Sequence, residues 1–188
     1  MSDLATTLPN EPALIKQSMV DSSAFAAVYD HYFARIYNYV RYRIQDADTV
    51  DDLTSHIFER VLVNLDSYRP EKAPFAAWLF AIARNVVNDH LRMQQRRRWL
   101  SFDRLREWAG GDPPPGEIVA DREAEHSLLM AVAGLGSRER DIIALKFAGG
   151  LTNRRIAELT GLTESNVGVI LYRTIRRLRT ELEAQGVE

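Results

Sequence analysis

Two kinds of charge cluster and one short hairpin hold the residues of this chain that could do chemistry. Arg173, Arg176, Arg177 and Arg179 crowd one stretch near the C-terminus, a density suited to phosphate oxygens, which guanidinium groups bind in pairs and neutralise. Residues 84–98 hold Arg84, Arg92, Arg96, Arg97 and Arg98 against Asp89 alone. Residues 46–66 are the opposite: Asp46, Asp48, Asp51, Asp52, Glu59 and Asp66 stand against Arg60. The net charge is only −2, so the segregation of charge, not its sum, points to separate surfaces for separate partners. Taken singly, each run also fits a solvated helix face.

The acidic run admits a second chemistry. Asp48, Asp52, His56 and Glu59 fall near one face of a helix and could ligate a metal, as a phosphodiester-cleaving enzyme would require. Three or more ligands on one straight helix rarely converge on a single ion, so no metal and no cofactor is expected. The chain has no cysteine, which removes thiolate nucleophiles, disulfides and Cys-ligated zinc. No convergent nucleophile, base and oxyanion stabiliser can be read either, and the expectation is a protein that is not an enzyme.

The hairpin lies in LTNRRIAELTGLTESNVGVILYR, residues 151–173. A helix-turn-helix needs a small residue where its helices cross, here Ala157 beside the inward Ile156, and a residue tolerant of positive φ between them, here Gly161. It also needs apolar anchors on the second helix, met by Leu162, Val167 and Ile170. Thr163 is the expected N-cap, which leaves Glu164 and Ser165 at the exposed leading end, where a recognition helix meets base edges. Gly168 and Val169 add few donors to that face.

The elements that must position these residues all read as helical. From Ser22 or Ser23 as cap, Phe25, Val28, Tyr29, Phe33, Ile36, Tyr37 and Val40 recur at three- and four-residue spacing. A second helix is expected over 47–65, with Val50, Leu53, Ile57, Val61 and Leu65 on one side, and a third over 75–93. Between them SYRPEKAP breaks the pattern with two prolines. Residues 94–120 lose periodicity and contain Gly110, Gly111 and prolines at 113–115, which marks a linker, although Trp99, Phe102 and Trp108 are unusual in a pure spacer. Helices follow over 121–135, 137–147, 153–160 and 164–183. The N-terminus lacks a basic, then apolar, signal sequence, and the most apolar window, residues 73–83, is far shorter than the roughly 20 residues of a membrane span. A cytoplasmic, all-α protein is expected, two small helical domains joined by a flexible linker, with no membrane insertion.

Three segments, in order, carry a resemblance: DTVDDLTSHIFERVLVNL (48–65), FAAWLFAIARNVVNDHLR (75–92) and GSRERDIIALKFAGGLTNRRIAELTGLTESNVGVILYRTIRRLR (136–179). Over roughly residues 22–183 the chain resembles the extracytoplasmic-function group of bacterial sigma factors, group IV of the sigma-70 family. The resemblance implies an N-terminal tail (1–21), a region 2 domain (22–95), a linker (96–120) and a region 4 domain (121–188) with the helix-turn-helix. It implies core RNA polymerase as partner, through its clamp coiled coil and flap, together with promoter DNA and an anti-sigma factor. The clamp contact falls on Asp51, Asp52, Leu53, Ser55, His56 and Phe58, where many members carry Gln-Glu in place of Ser55 and His56. Recognition and melting of the −10 element fall on Trp78, Asn85, Asn88 and Arg92, beside the loop 67–74. Primary sigma factors place adjacent tryptophans at the positions of Ala81 and Ile82; here that wedge is missing, which implies weaker melting. The −35 element falls to Arg154, Arg155, Glu164, Ser165, Asn166, Val169, Arg173 and Arg176, and the Lys or Arg that many relatives carry at Gly168 and Ile170 is absent.

A sigma factor also accounts for the weak overall charge, because polymerase would hold two modest DNA-binding domains at high effective concentration. The competing reading is a stand-alone helix-turn-helix regulator, which would bind DNA without polymerase and, as a dimer, would read repeated half-sites.

Overall fold

The computed structural model describes residue 8, residues 10–100 and residues 119–184, with side chains at 22, 98–100 and 119–123 outside the description. Every regular element among these residues is helical: α1 (Glu11–Ser18), α2 (Phe25–Arg43), α3 (Ala47–Val63), α4 (Phe75–Leu100), α5 (Val119–Ala133), α6 (Ser137–Phe147), α7 (Asn153–Thr160) and α8 (Glu164–Ala184). Phe102, Trp108 and most of the expected linker fall outside the described residues, as does the extreme N-terminus.

Helix α1 lies within the stretch expected as a tail. It buries Ile15 and Ser18, and Glu11 accepts a hydrogen bond from the Tyr32 hydroxyl on α2. Eight residues are too few to display a period, which is why the sequence pattern misses it. The N-cap position of α2 falls on Ala24, not on the expected Ser22 or Ser23. Asp21 accepts from the Ser23 backbone N–H at 2.9 Å and from its hydroxyl at 2.7 Å, and a 3₁₀ turn at Ser22–Ala24 runs into the helix without a break.

Helix α2 is the spine of the molecule. Its buried set is Phe25, Val28, Tyr32, Ile36, Tyr39, Val40 and Arg43, so Tyr29 and Phe33, expected in the core, are instead more than a third exposed. With aromatics on several faces, sequence spacing alone cannot tell which line points inward; packing on α3 and α4 selects the line through Tyr32 and Tyr39. Helix α3 follows expectation. The Asp46 carboxylate caps it by accepting from Thr49 N–H at 2.9 Å, and Val50, Leu53, Ile57 and Val61 are buried together with Leu65 of the next turn.

Helix α4 runs to Leu100, beyond the expected end near 93, so residues 96–100 of the expected linker are helical. Loss of apolar periodicity marks the end of packing, whereas Gln and Arg still favour helix. Helices α6 and α7 occupy the expected 137–147 and 153–160, and α8 matches 164–183 to one residue. Helices α5 and α6 also pack on α2. The buried apolar residues of α2, α3 and α4 and those of α5 to α8 therefore form one continuous core.

Candidate DNA interfaces and an interdomain clasp

The hairpin of α7 and α8 is built by local rules. Thr152 caps α7 by accepting from Arg155 N–H at 3.3 Å, and α7 ends at Gly161 with φ of 73°, a left-handed conformation that favours glycine. Thr163 caps α8, accepting from Asn166 N–H at 3.2 Å. Ile156 and Val167 are fully buried, Ala157 nearly so, and Leu162 and Ile170 pack against the same core. This leaves Glu164, Ser165, Asn166, Val169, Arg173 and Arg176 exposed along α8. Among the described residues Arg173 and Arg176 have no carboxylate partner, and with Tyr172, Arg177 and Thr180 they line a shallow groove. Arg154 and Arg155 are differently placed. Both pair with Glu158, at 3.5 and 2.6 Å, and the Arg155 hydrogen bond holds the Glu158 carboxyl below its ordinary range. Any anionic ligand at this face would compete with that carboxylate.

On α4, Trp78, Asn85, Asn88 and Arg92 follow at spacings of seven, three and four, which puts them along one face of the helix. Their surroundings differ. Trp78 packs on Tyr68 and Phe75 at ring distances of 5.4 and 5.5 Å, half-buried beneath the loop that Tyr68 closes through its hydroxyl to Ala73 O. It therefore supports the loop and keeps part of its ring accessible. Asn85 is exposed, Arg92 pairs with Asp89 at 2.7 Å, and the Asn88 carbonyl oxygen is already taken by Arg43 Nη2 at 2.9 Å. Ala81 and Ile82, at the wedge positions, are half-buried.

On α3, Asp51, Asp52, Ser55 and His56 are exposed, whereas Leu53 and Phe58 are 9% and 5% exposed and hold the helix to the core. Asp48, Asp52, His56 and Glu59 do not gather: among the described residues no three His, Asp or Glu side chains are grouped to hold a metal ion. Beside the acidic face lie residues the sequence reading missed. Leu62 and Val63 are exposed, as are Tyr29 and Phe33, so the acidic surface is bordered by apolar ones. The only sequence signal was that Leu62 and Val63 fall off the helical stripe.

The second feature missed lies between the two halves. Asp141, in the middle of α6, is 6% exposed and receives both Arg43 from α2 and Arg84 from α4, the latter at 2.7 Å from Nε. The Tyr39 hydroxyl donates to the same carboxylate at 3.1 Å, and burial, with Asp141 beside it, pushes the Tyr39 phenol far above its ordinary range. Arg84 Nη1 also donates to Leu159 O at 2.7 Å, and Arg35 donates to Gly149 O, so two arginines of one half satisfy carbonyls at the C-termini of α7 and α6. Arg35 is itself held over the Tyr32 and Phe80 rings.

Comparison with known proteins now fixes the family. Residues 28–97 match the model of Sigma-70 region 2, and residues 125–178 that of Sigma-70, region 4. The chain belongs to the sigma-70 family. It is 30% identical over 158 residues to the ECF RNA polymerase sigma factor BldN of Streptomyces coelicolor, covering 84% of this chain and 60% of that protein. To the ECF RNA polymerase sigma factor SigX of Bacillus subtilis it is 28% identical over 167 residues, 85% of this chain and 84% of that one. Among solved structures, the fold is shared with the sigma factor RpoE of Bartonella quintana in complex with the anti-sigma factor NepR: TM-score 0.70, 20% identity, 85% of this chain and 96% of that one. It is shared also with CnrH in complex with the cytosolic domain of CnrY: TM-score 0.66, 23% identity, 92% and 96%. In this sigma-70 frame, α2 to α4 form the region 2 half and α5 to α8 the region 4 half. No helix among the described residues is long and apolar enough to cross a membrane.

Proposed function

We propose that this chain is an alternative sigma subunit of the extracytoplasmic-function group, which binds core RNA polymerase in the cytoplasm and directs it to a subset of promoters. The observation that carries this reading is the joint presence, in one all-helical chain of the family, of an exposed acidic face on α3, an amide- and arginine-bearing face on α4 and a capped helix-turn-helix. In this reading Asp51, Asp52, Ser55 and His56 meet the polymerase clamp, while Leu53 and Phe58 support them from beneath. Trp78, Asn85, Asn88 and Arg92 take the unstacked bases and backbone of the −10 element, using stacking and amide edges. Glu164, Ser165, Asn166 and Val169 read the −35 element in the major groove, and Arg154, Arg155, Arg173 and Arg176 hold its phosphates. The protein acts as a non-catalytic subunit and answers to an anti-sigma factor, the class of partner with which its structural neighbour RpoE is complexed.

The polymerase contact is tested by charge reversal. Asp51→Lys with Asp52→Lys, both exposed, should leave folding by circular dichroism intact and abolish co-elution with core polymerase in size-exclusion chromatography. Undiminished co-elution would remove α3 from the polymerase contact.

A further inference from the structure

Asp141 is a carboxylate where two arginines and a tyrosine hydroxyl of the other half converge. Arg43 and Arg84 both reach it, and Arg43 places its second amino group on Asn88, so the anion organises a cluster on α2 and on the α4 face read above as −10-binding. Two guanidinium groups around one oxyanion is also the arrangement that holds a nucleic-acid phosphate. Arg43 is 5% exposed, and its one carboxylate partner among the described residues, Asp141, comes from the region 4 half. Separating the halves would leave two arginines and Asn88 uncovered on the region 2 half, with their anion removed.

We propose that Asp141 is an internal stand-in for a DNA phosphate: in the docked state it occupies a site made by Arg43 and Arg84, with Asn88 held beside it by Arg43, and release of α6 opens that site to the backbone of promoter DNA. The clasp thus couples two events. Promoter strand and Asp141 compete for the same donors, so strand binding favours separated halves, and docked halves exclude the strand. Arg35 on Gly149 O and Arg84 on Leu159 O add neutral contacts to the docked state, and Arg41 with Glu125 adds a surface ion pair, which leaves Asp141 as the buried charged element of the latch. Pulling Asp141 away without a replacement anion leaves uncompensated buried charge, so the docked halves are held in one register until another anion takes its place. This inference rests on the sigma-factor reading for the identity of its ligand, and on the clasp geometry alone for the movement.

The test uses the full chain, which has no cysteine, so thiols introduced by Asp30→Cys and Glu183→Cys at exposed positions report the separation of the halves by energy transfer. Asp141→Asn should lower the transfer efficiency. It should also tighten binding of a short fluorescein-labelled single-stranded DNA by about tenfold or more, the gain expected when a minor open state becomes dominant. Adding Arg84→Ala to that variant should abolish the gain. Unchanged transfer efficiency, or unchanged strand binding in a chain that has opened, would overturn the proposal. Should Asp141→Asn fail to fold, the surface pair Arg41 and Glu125, which bridges α2 and α5 at 2.7 Å, offers a second route. Arg41→Cys with Glu125→Cys, joined by a cleavable bis-maleimide, should lose strand binding and regain it on cleavage; equal binding before and after cleavage would overturn the latch. A chain that opens as expected yet is inert with core polymerase on every promoter overturns the sigma-factor reading and, with it, the ligand half of the proposal.

Discussion

Single residues divide into those whose role follows from type and spacing and those whose role depends on a distant partner. Thr163, Gly161, Ala157 and Val167 belong to the first group: cap, left-handed turn, helix crossing and anchor are local requirements, and each is met where the sequence places it. Asp141 belongs to the second. Its partners Arg43 and Arg84 lie far away in the chain, and nothing in the local pattern of α6 sets it apart from a solvated acidic residue. The same limit applies to Asn88, which reads from sequence as a free amide and is held by Arg43 in the fold. Arg176 is exposed beside Arg173 and has no carboxylate partner among the described residues, which suits a phosphate contact. Arg176→Ala should then weaken binding of duplex DNA to a similar degree for all sequences and reduce the slope of log K against log salt by about 1. Anisotropy titrations at several salt concentrations check this, and a change in base preference would reassign Arg176 to base readout.

Helices α3, α6, α7 and α8 were legible almost to the residue because each begins with a capping signal or ends at a glycine, and each keeps one apolar stripe. The face of α2 was not, because aromatics surround that helix and only packing chooses among them. Nor was the end of α4, where helix continues after packing stops. Two predictions concern element boundaries and faces. The Asp46 carboxyl is held below its ordinary range first by the Thr49 hydroxyl and then by the Thr49 N–H, so its cap stabilises the folded chain in the ionised form. A depressed carboxyl contributes stability above its unfolded pKa and loses it as pH falls through the folded value. The Tm of the native chain should therefore exceed that of Asp46→Ala near neutral pH, and the gap should close in acid. Gly168 lies within α8, and a Cβ there would meet only Asn153 Nδ2 at 3.8 Å. Gly168→Ala should stabilise the fold by about 0.5–1 kcal/mol in denaturant titrations, because a mid-helix glycine carries an entropic cost. If the sparse face of α8 works by close approach to DNA, the same methyl group should weaken −35 duplex binding.

At the scale of the whole molecule, the loss of periodicity between α4 and α5 marked where the two halves meet in sequence, but their docking into one core was not readable. Helix α2 serves both halves: it completes the region 2 core with α3 and α4, and its Arg35, Tyr39 and Arg43, at one-turn spacing along the seam with α4, reach the α6 segment. A modest net charge is consistent with this design, since polymerase would supply the high effective concentration that two weak DNA contacts need. If these surfaces serve promoter-specific initiation, a purified system containing core RNA polymerase, this chain and a promoter library should yield transcripts from a restricted set of promoters that share −10 and −35 sequences at a fixed spacing, and no such transcripts with core polymerase alone. Failure to bind core polymerase, or the absence of stimulated initiation at every promoter in the library, would contradict it.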